Sequence, residues 1–129
     1  MVVILVHWLI KDGFQNEFIR TWENEMTIPS NEGLYREILT LVDPQNMDSQ
    51  FRTFHLESPY YKTYINIGIW RSLEDFDRIV GSKYIPKPQL INGKHYIELK
   101  DFEFKLRERI VLKVVSDRGS NLPEAKLSE

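Results

Sequence analysis

Cysteine is absent from this chain of 129 residues. Its absence excludes disulfide bonds, thiolate metal sites and cysteine nucleophiles. It also suits the reducing cytosol, so we expect a cytoplasmic protein. Histidine is scarce as well: His7, His55 and His95 show no ligand spacing, so the sequence predicts no metal site.

An excess of charge of one sign is also missing, because 17 basic residues stand against 19 acidic ones for a net charge of −2. Domains that bind nucleic acids normally show a basic excess on one face, so no nucleic-acid partner is expected. The six glycines are scattered, which excludes a glycine-rich phosphate loop. No Gly-x-Ser-x-Gly nucleophile elbow is present either.

Apolar runs of membrane-spanning length are missing too. Residues 2–10 are apolar but far too short to cross a bilayer. No positively charged region precedes them and no cleavage pattern follows, so we interpret them as a buried strand and expect no membrane association. The length fits one domain, which we place at residues 1–115, followed by a polar tail at 116–129.

Alternation and helical spacing predict the secondary structure. Four apolar residues recur at every fourth position and predict a first helix: Phe14, Phe18, Trp22 and Met26. Strands are predicted at residues 2–10, 33–43, 62–71 and 102–115. Ser72 begins a second helix as an N-cap and Gly81 ends it, before a linker at 82–93. Segment 45–61 is hard to interpret, although its apolar residues suggest a packed excursion: Phe51, Phe54 and Leu56.

The order β-α-β-β-α-β predicts an α+β, ferredoxin-like domain, an antiparallel sheet with helices on one face. Two strands are nevertheless apolar on both faces. Helices can cover only one of those faces, and the other presents these residues: Val3, Leu5, Leu9, Ile65, Ile67 and Ile69. Such a patch exceeds what monomers usually expose, so the sequence predicts a homodimer that packs sheet against sheet. An RNA-recognition domain shares this order but would need an aromatic Lys/Arg-Gly-Phe-type motif, which is missing.

One stretch, residues 64–76, carries a family resemblance. Its sequence is Tyr-Ile-Asn-Ile-Gly-Ile-Trp-Arg-Ser-Leu-Glu-Asp-Phe: a strand that ends in Trp, a Ser-capped acidic helix start, then Phe. With the element order over residues 2–115, it resembles the antibiotic-biosynthesis-monooxygenase-like (ABM) group of the dimeric α+β-barrel superfamily.

The resemblance implies an activity and a set of site residues. Members that oxidise aromatic polyketides without metal or flavin use an Asn and a Trp on this strand and an Arg from the last strand. Asn66 and Trp70 match that four-residue spacing, and Arg107 or Arg109 would be the third member. The implied protein is a cofactor-independent monooxygenase acting on an aromatic, polyketide-like substrate in a hollow between sheet and helices. Tyr35 would be an aromatic pocket residue.

The chain departs from the family in two respects. Relatives that degrade haem use a His in or after the second helix as the iron ligand, and this chain has none between His55 and His95. The linker after the second helix is also longer and contains proline. Both departures argue against haem chemistry.

Each candidate residue has a structural alternative. The Asn66 amide could bond a substrate carbonyl or enolate oxygen, or simply a neighbouring side chain. Trp70 could stack on a flat substrate or fill the space between sheet and helices. Tyr64, which shares a strand face with Asn66, and Tyr35 could line a pocket or the core.

The remaining candidates are charged or titratable. His7 lies in the first strand, where it could act as a base, contact substrate or face the dimer seam. Arg107 and Arg109 belong to a charged row that could be salt-bridged, unless one of them stabilises an oxyanion. If these residues do no chemistry, the alternative is a non-catalytic domain of the same fold that binds a small aromatic or hydrophobic ligand.

Overall fold

A computed structural model describes residues 1–29, 32–43, 50–84, 89–91, 94–96 and 99–119. The elements are β1 (Val2–Lys11), α1 (Gln15–Asn24), β2 (Leu34–Leu41), β3 (Tyr61–Trp70), α2 (Leu73–Tyr84), β4 (Gln89–Ile91), β5 (Lys94–Tyr96) and β6 (Glu103–Lys113). Four strands form an antiparallel sheet in the order β2-β3-β1-β6, and β4 pairs only with β5. The predicted α+β, ferredoxin-like architecture is confirmed.

The segment after the second helix differs from the prediction. α2 does not end at Gly81 but continues to Tyr84, and the β4–β5 hairpin begins within the expected linker and extends beyond it to Tyr96. A single glycine costs a helix only about 1 kcal/mol, which a packed apolar face can offset. Strands of three residues are too short to leave a periodic signal in the sequence.

The segment before β3 also differs from expectation. Residues 50–60 form no helix or strand, and the side chains of Phe51 and Phe54 are 83% and 89% exposed. The packed excursion predicted for this segment is therefore wrong for these two residues, although Leu56 is half-buried. Residues 44–49, and 120–129 of the predicted tail, lie outside the described part of the chain.

Both helices cover the same face of the sheet, which we call the helix face. Even-numbered residues of β1 point towards it and are buried: Ile4, Val6, Trp8 and Ile10. Phe18 of α1 and Phe76 and Ile79 of α2 join them in one core. The ring centroid of Phe18 lies 5.0 Å from Trp8 and 5.1 Å from Tyr64, so aromatic side chains fill the space beneath α1.

No helix of the described chain covers the opposite face, which we call the open face. Here Leu5 pairs with Ile67 on one side and Ile110 on the other, and Val3 pairs with Ile69. The apolar residues predicted for this face therefore do share it. Ile110 is 54% exposed, so this sheet surface is not buried within one chain.

A polar cluster fixes the start of α2 beside β2. Ser72 caps the helix by accepting the Asp75 backbone N–H at 3.2 Å. Arg71 donates two hydrogen bonds to the Asp75 carboxylate, at 2.7 and 2.9 Å, and Arg78 donates a third at 3.1 Å. These donors hold the pKa of Asp75 well below its usual range. A β-carbon at Gly33 would lie 2.6 Å from Asp75 Oδ2, so this close approach requires glycine.

Candidate functional site

The helix face carries polar side chains in an otherwise apolar surface. Strand register places Asn66 of β3 opposite Leu39 of β2 and Val6 of β1, and Val6 is opposite Arg109 of β6. Glu37 of β2 lies one row further along, opposite Gly68. Because directly paired residues point to the same side of a sheet, these groups all face the helices.

Asn66 and Glu37 form a hydrogen-bonded pair. Asn66 Nδ2 donates to Glu37 Oε2 at 3.0 Å, and Asn66 is only 6% exposed. Its other amide atom, Oδ1, is buried and has no hydrogen-bond partner among the described residues. A buried acceptor without a partner is rare and destabilising, and in a native protein it calls for an explanation.

Burial also changes the acidity of Glu37. Desolvation raises the pKa of its carboxyl group above the ordinary value of 4.5, and the hydrogen bond from Asn66 acts in the opposite direction. Desolvation is the stronger of the two effects. A carboxylate whose pKa is shifted towards neutrality is a better proton acceptor than an exposed one.

Trp70 fills the space where a hollow was expected. It is fully buried, with its ring centroid 5.4 Å from that of Phe76 in an edge-on contact. Its Nε1 lies over Gly68, where a β-carbon would approach within 2.7 Å. The prediction of a hollow that opens toward Asn66 and Trp70 is therefore wrong for this conformation, and Gly68 admits the Trp70 indole instead of a ligand.

Arg107 lies in a second polar cluster on the helix face. Its guanidinium group lies 4.7 Å from the centre of the Trp8 ring, and Nη1 is 3.1 Å from Oε1 of the fully buried Glu103. Burial raises the pKa of Glu103, while Arg107 beside it acts in the opposite direction. Within the described chain, Trp8 Nε1 is buried without a hydrogen-bond partner. Arg107 is thus a salt-bridged, half-buried residue.

Arg109 has a different partner. Although it lies in the same row of the sheet as Asn66, its guanidinium group bonds Asp77 of α2 at 2.5 Å and lies 5.3 Å from the centre of the Phe76 ring. It therefore connects β6 to α2 across the helix face. Neither arginine contacts Asn66, so the structure does not bring the predicted triad into one cluster.

The predicted substrate-binding residues are dispersed. Tyr64 is buried on the helix face, where burial raises the pKa of its hydroxyl group. Tyr35 is 62% exposed and lines a depression of about 590 Å³ with Val3 and Ile69, two residues of the open face. His7 points to the open face, opposite Ile65 and Glu108. Only Tyr64 shares a face with Asn66.

Sequence reasoning did not single out Glu37, Trp8 or Glu103. The signal for Glu37 was available, because alternation along β2 places it on the same side as the half-buried Leu39. Glu103 is harder to foresee, since its position opposite Ile10 follows two register shifts between β1 and β6. Among the residues that the structure describes, no group of three or more His, Asp or Glu side chains could hold a metal ion.

Comparison with solved structures shows what the architecture is. The crystal structure of an arginine-to-serine mutant of MhuD, with two manganese protoporphyrin IX molecules bound per active site, superposes with a TM-score of 0.57. The alignment covers 92% of this chain and 99% of that chain, at 13% sequence identity. The chain has the ABM-type fold.

A second similar structure is a Bacillus cereus protein provisionally described as an antibiotic biosynthesis monooxygenase. Its TM-score is 0.48 at 12% identity, over 95% of this chain and 98% of that chain. No protein-family model matches the sequence, and no curated protein gives a significant match. Identities this low establish the ABM-type fold alone, so the function has to be argued from the site. No helix in the described part of the chain is long and apolar enough to cross a membrane.

Proposed function

We propose that this ABM-type protein is a cofactor-independent monooxygenase that acts on an aromatic, polyketide-like substrate at the helix face. The observation that carries the proposal is the buried Asn66, whose Oδ1 has no partner among the described residues. The surrounding surface is apolar and aromatic, with Trp70, Tyr64 and Phe76 in its core. A flat apolar ligand with one or two polar substituents suits such a surface.

The chemistry needs no resident redox group. A base removes a proton from an activated ring methylene, and the carbanion transfers an electron to dioxygen. Recombination of the two radicals forms a carbon–oxygen bond, and the hydroperoxide loses water to leave a carbonyl group. The methylene and one dioxygen molecule thus give a carbonyl and one water. The protein supplies exclusion of bulk water, orientation and a base.

Access to this site requires a side-chain movement. Trp70 is fully buried and packs on Gly68, beside Asn66 on the same face of β3. A ligand that contacts the Asn66 amide therefore has to displace the Trp70 indole, which would then stack on the ligand instead of on Phe76. This movement combines the two roles considered for Trp70, core filling and ligand stacking.

The open face supports a homodimer as part of the same proposal. Ile110 and Leu112, which pair with Leu5 and Val3 on this face, are 54% and 42% exposed. Burial of roughly 800 Å² per partner is enough for a stable interface. A second copy placed sheet against sheet would supply that burial and leave both helix faces accessible.

Oxygen consumption with a dihydroxyanthracenone tests the proposed activity. We expect the wild-type protein to consume dioxygen in proportion to substrate oxidised, and Asn66→Ala to slow this at least tenfold. Asn16→Ala is the matched control, because Asn16 is exposed on α1. No uptake by the wild type, or equal uptake by both variants, would contradict the proposed activity.

A non-catalytic ligand-binding domain is the second candidate, and the complete burial of Trp70 favours it. A protein that only binds its ligand would quench or shift tryptophan fluorescence on titration without consuming dioxygen. Porphyrin is a ligand to test in the same way, because the MhuD structure contains one. Here α2 contains no histidine, so we expect a haem titration to show no ligand-induced shift of the Soret band.

A further inference from the structure

Two carboxylates on the helix face are desolvated to different degrees, Glu103 being fully buried and Glu37 half-buried, and their surroundings differ. Glu103 lies 3.1 Å from the guanidinium group of Arg107, so its charge is compensated by a cation. Glu37 instead accepts a hydrogen bond from the neutral amide of Asn66. No cation of the described chain forms an ion pair with Glu37. A desolvated carboxylate that is held by a neutral donor retains its capacity to accept a proton.

We propose that Glu37 is the proton acceptor of this site and that Asn66 positions it while binding a hydroxyl group of the ligand through Oδ1. The inference rests on the proposed function for the location of the ligand. To that proposal it adds the identity of the base, Glu37, and the requirement that the substrate carries a hydroxyl group. The substrate class is a hydroxylated aromatic ring whose acidic C–H lies near a phenolic O–H.

The orientation of the amide follows from elementary hydrogen bonding. An ionised carboxylate can only accept, so the Asn66 atom that faces Glu37 must be the donor Nδ2, as observed at 3.0 Å. The acceptor Oδ1 then points away from Glu37 and has no partner in the described structure. A ligand that brings an O–H to Oδ1 would complete the pairing of the amide. An ether oxygen at that position could not, because it has no proton to donate.

The register of the sheet places the two functions side by side. Glu37 pairs with Gly68, and Asn66 is two residues before Gly68 on the same face. Gly68 carries no side chain, and the Trp70 indole lies closest to the space above it, with the Ile4 carbonyl oxygen further away. Displacement of that indole would uncover the carboxylate and the amide together. A ring that replaces the indole would contact both groups.

The proton transfer is simple to write. The ligand C–H bond breaks with its electron pair left on carbon, and the proton forms an O–H bond with a Glu37 carboxylate oxygen. Neutral Glu37 later returns that proton to water. Burial raises the pKa of Glu37 and so makes its ionised form a stronger base. The rate should therefore fall as the pH is lowered through this raised pKa, because the protonated form cannot accept a proton.

Deuterium exchange without oxygen tests Glu37 separately from the oxygenation. In anaerobic deuterated buffer, we expect the wild-type protein to accelerate exchange of the methylene hydrogens of a dihydroxyanthracenone, followed by mass spectrometry. Glu37→Gln should lose about 100-fold or more of this acceleration, since general bases typically contribute 10²- to 10⁴-fold. Glu37→Asp should retain part of it. Glu23→Gln, an exposed charge removal on α1, is the matched control and should exchange at the wild-type rate.

Binding of a non-reactive analogue tests the role of Asn66. We expect the wild type to bind a dihydroxyanthraquinone at least tenfold more tightly than its dimethyl ether. Glu37→Gln should keep this preference, because glutamine still offers Asn66 an acceptor. Asn66→Ala should lose it, while near-ultraviolet circular dichroism confirms that the variant is folded.

The outcomes separate this inference from the proposed function. Oxygen consumption that survives Glu37→Gln would overturn Glu37 as the base and leave the monooxygenase proposal standing. Deuterium exchange that depends on Glu37, in a protein that consumes no oxygen, would support Glu37 as the base and overturn the monooxygenase proposal. Equal affinity of the wild type for the hydroxylated and methylated analogues would overturn the role given to Asn66 Oδ1.

Discussion

The two faces of the four-stranded sheet differ in the kind of residue that they carry. The helix face is covered by α1 and α2, yet it contains the buried Asn66 and Glu103 and the half-buried Glu37 among its aromatic residues. The open face has no covering element in the described chain and is largely aliphatic. Polar groups are thus placed where water is excluded, and apolar groups where a single chain leaves them accessible. This arrangement is the basis of our two proposals, a ligand site on the helix face and a second protomer on the open face.

β1 shows the contrast within a single strand. Ile4 and Ile10 are 1% and 0% exposed, whereas Leu5 and Val3, their counterparts on the other side, are only half-buried. The residue types are equivalent, so the difference comes from which neighbours the fold supplies. Strand sequence therefore specifies two apolar faces, and tertiary structure within one chain covers only one of them.

Truncation of one side chain from each face should give the largest effects and separate their partners. Trp70→Ala removes a fully buried side chain and should cost about 3–5 kcal/mol of unfolding free energy at any protein concentration. The loss of unfolding free energy in Ile67→Ala should instead grow with protein concentration, because in the proposed dimer a second copy completes the burial of Ile67. Urea denaturation at two concentrations about 100-fold apart measures both. A loss of unfolding free energy in Ile67→Ala that does not change with protein concentration would contradict a partner on the open face.

A charge placed at the centre of the open face should dissociate the proposed dimer. Ile67 lies between Leu5 and Ile38, so Ile67→Glu would bury an unpaired carboxylate twice in a symmetric interface. We expect the dimer dissociation constant to rise at least about 100-fold, or about 2.7 kcal/mol. Sedimentation equilibrium measures it, with Lys62→Glu at the exposed end of β3 as control. An Ile67→Glu variant that remains dimeric would show that the interface lies elsewhere.

Substitution of Gly68 by alanine should overpack the helix face and lower the free energy of unfolding, because Trp70 packs against Gly68. In Gly68→Ala the new β-carbon would lie 2.7 Å from Trp70 Nε1, so the indole has to move. Overpacking of this kind costs about 1–3 kcal/mol. A Gly68→Ala, Trp70→Phe double variant should lose less stability than the sum of the two single changes, because the smaller ring relieves the clash. Additive losses in urea denaturation would argue against this contact.

Glu37→Gln should give the smallest effect on stability. The sign of the change in unfolding free energy tests whether the pKa of Glu37 is raised. The folded-state pKa of Glu37 is raised above 4.5, so its contribution to stability is complete below that value and is lost as the pH rises through the folded pKa. Glutamine does not ionise, and the variant should therefore gain stability relative to the wild type as the pH rises from 4.5 through the raised pKa of Glu37. Thermal unfolding across this range measures the gain. A variant that becomes relatively less stable as the pH rises would contradict a raised pKa.

Much of the fold could be predicted because periodic patterns reflect burial directly. Runs of β-branched and apolar residues located β1 and β3, and the spacing of Phe18 and Trp22 located α1. The apolar open face was also visible, since a strand that is apolar on both sides needs two covering surfaces. The β4–β5 hairpin was missed because strands of three residues have no measurable period.

The site was predictable only in part, since side-chain direction depends on local irregularities. A register shift between Leu34 and Arg36 moves Tyr35 out of the alternation of β2, and it is exposed as a result. The hydrogen bond between Asn66 and Glu37 joins residues 29 positions apart, and it follows from strand register instead of local sequence. The burial of Trp70 depends on Gly68, whose absent side chain makes room for the indole.

A crystal structure with a bound dihydroxyanthraquinone would test most directly whether the helix face is the working face. Our account predicts the ring between sheet and helices with Trp70 displaced, a ligand hydroxyl within hydrogen-bond distance of Asn66 Oδ1, and a second protomer on the open face. A ligand bound at the open face, or one seated on the helix face with Oδ1 still unpaired, would contradict it.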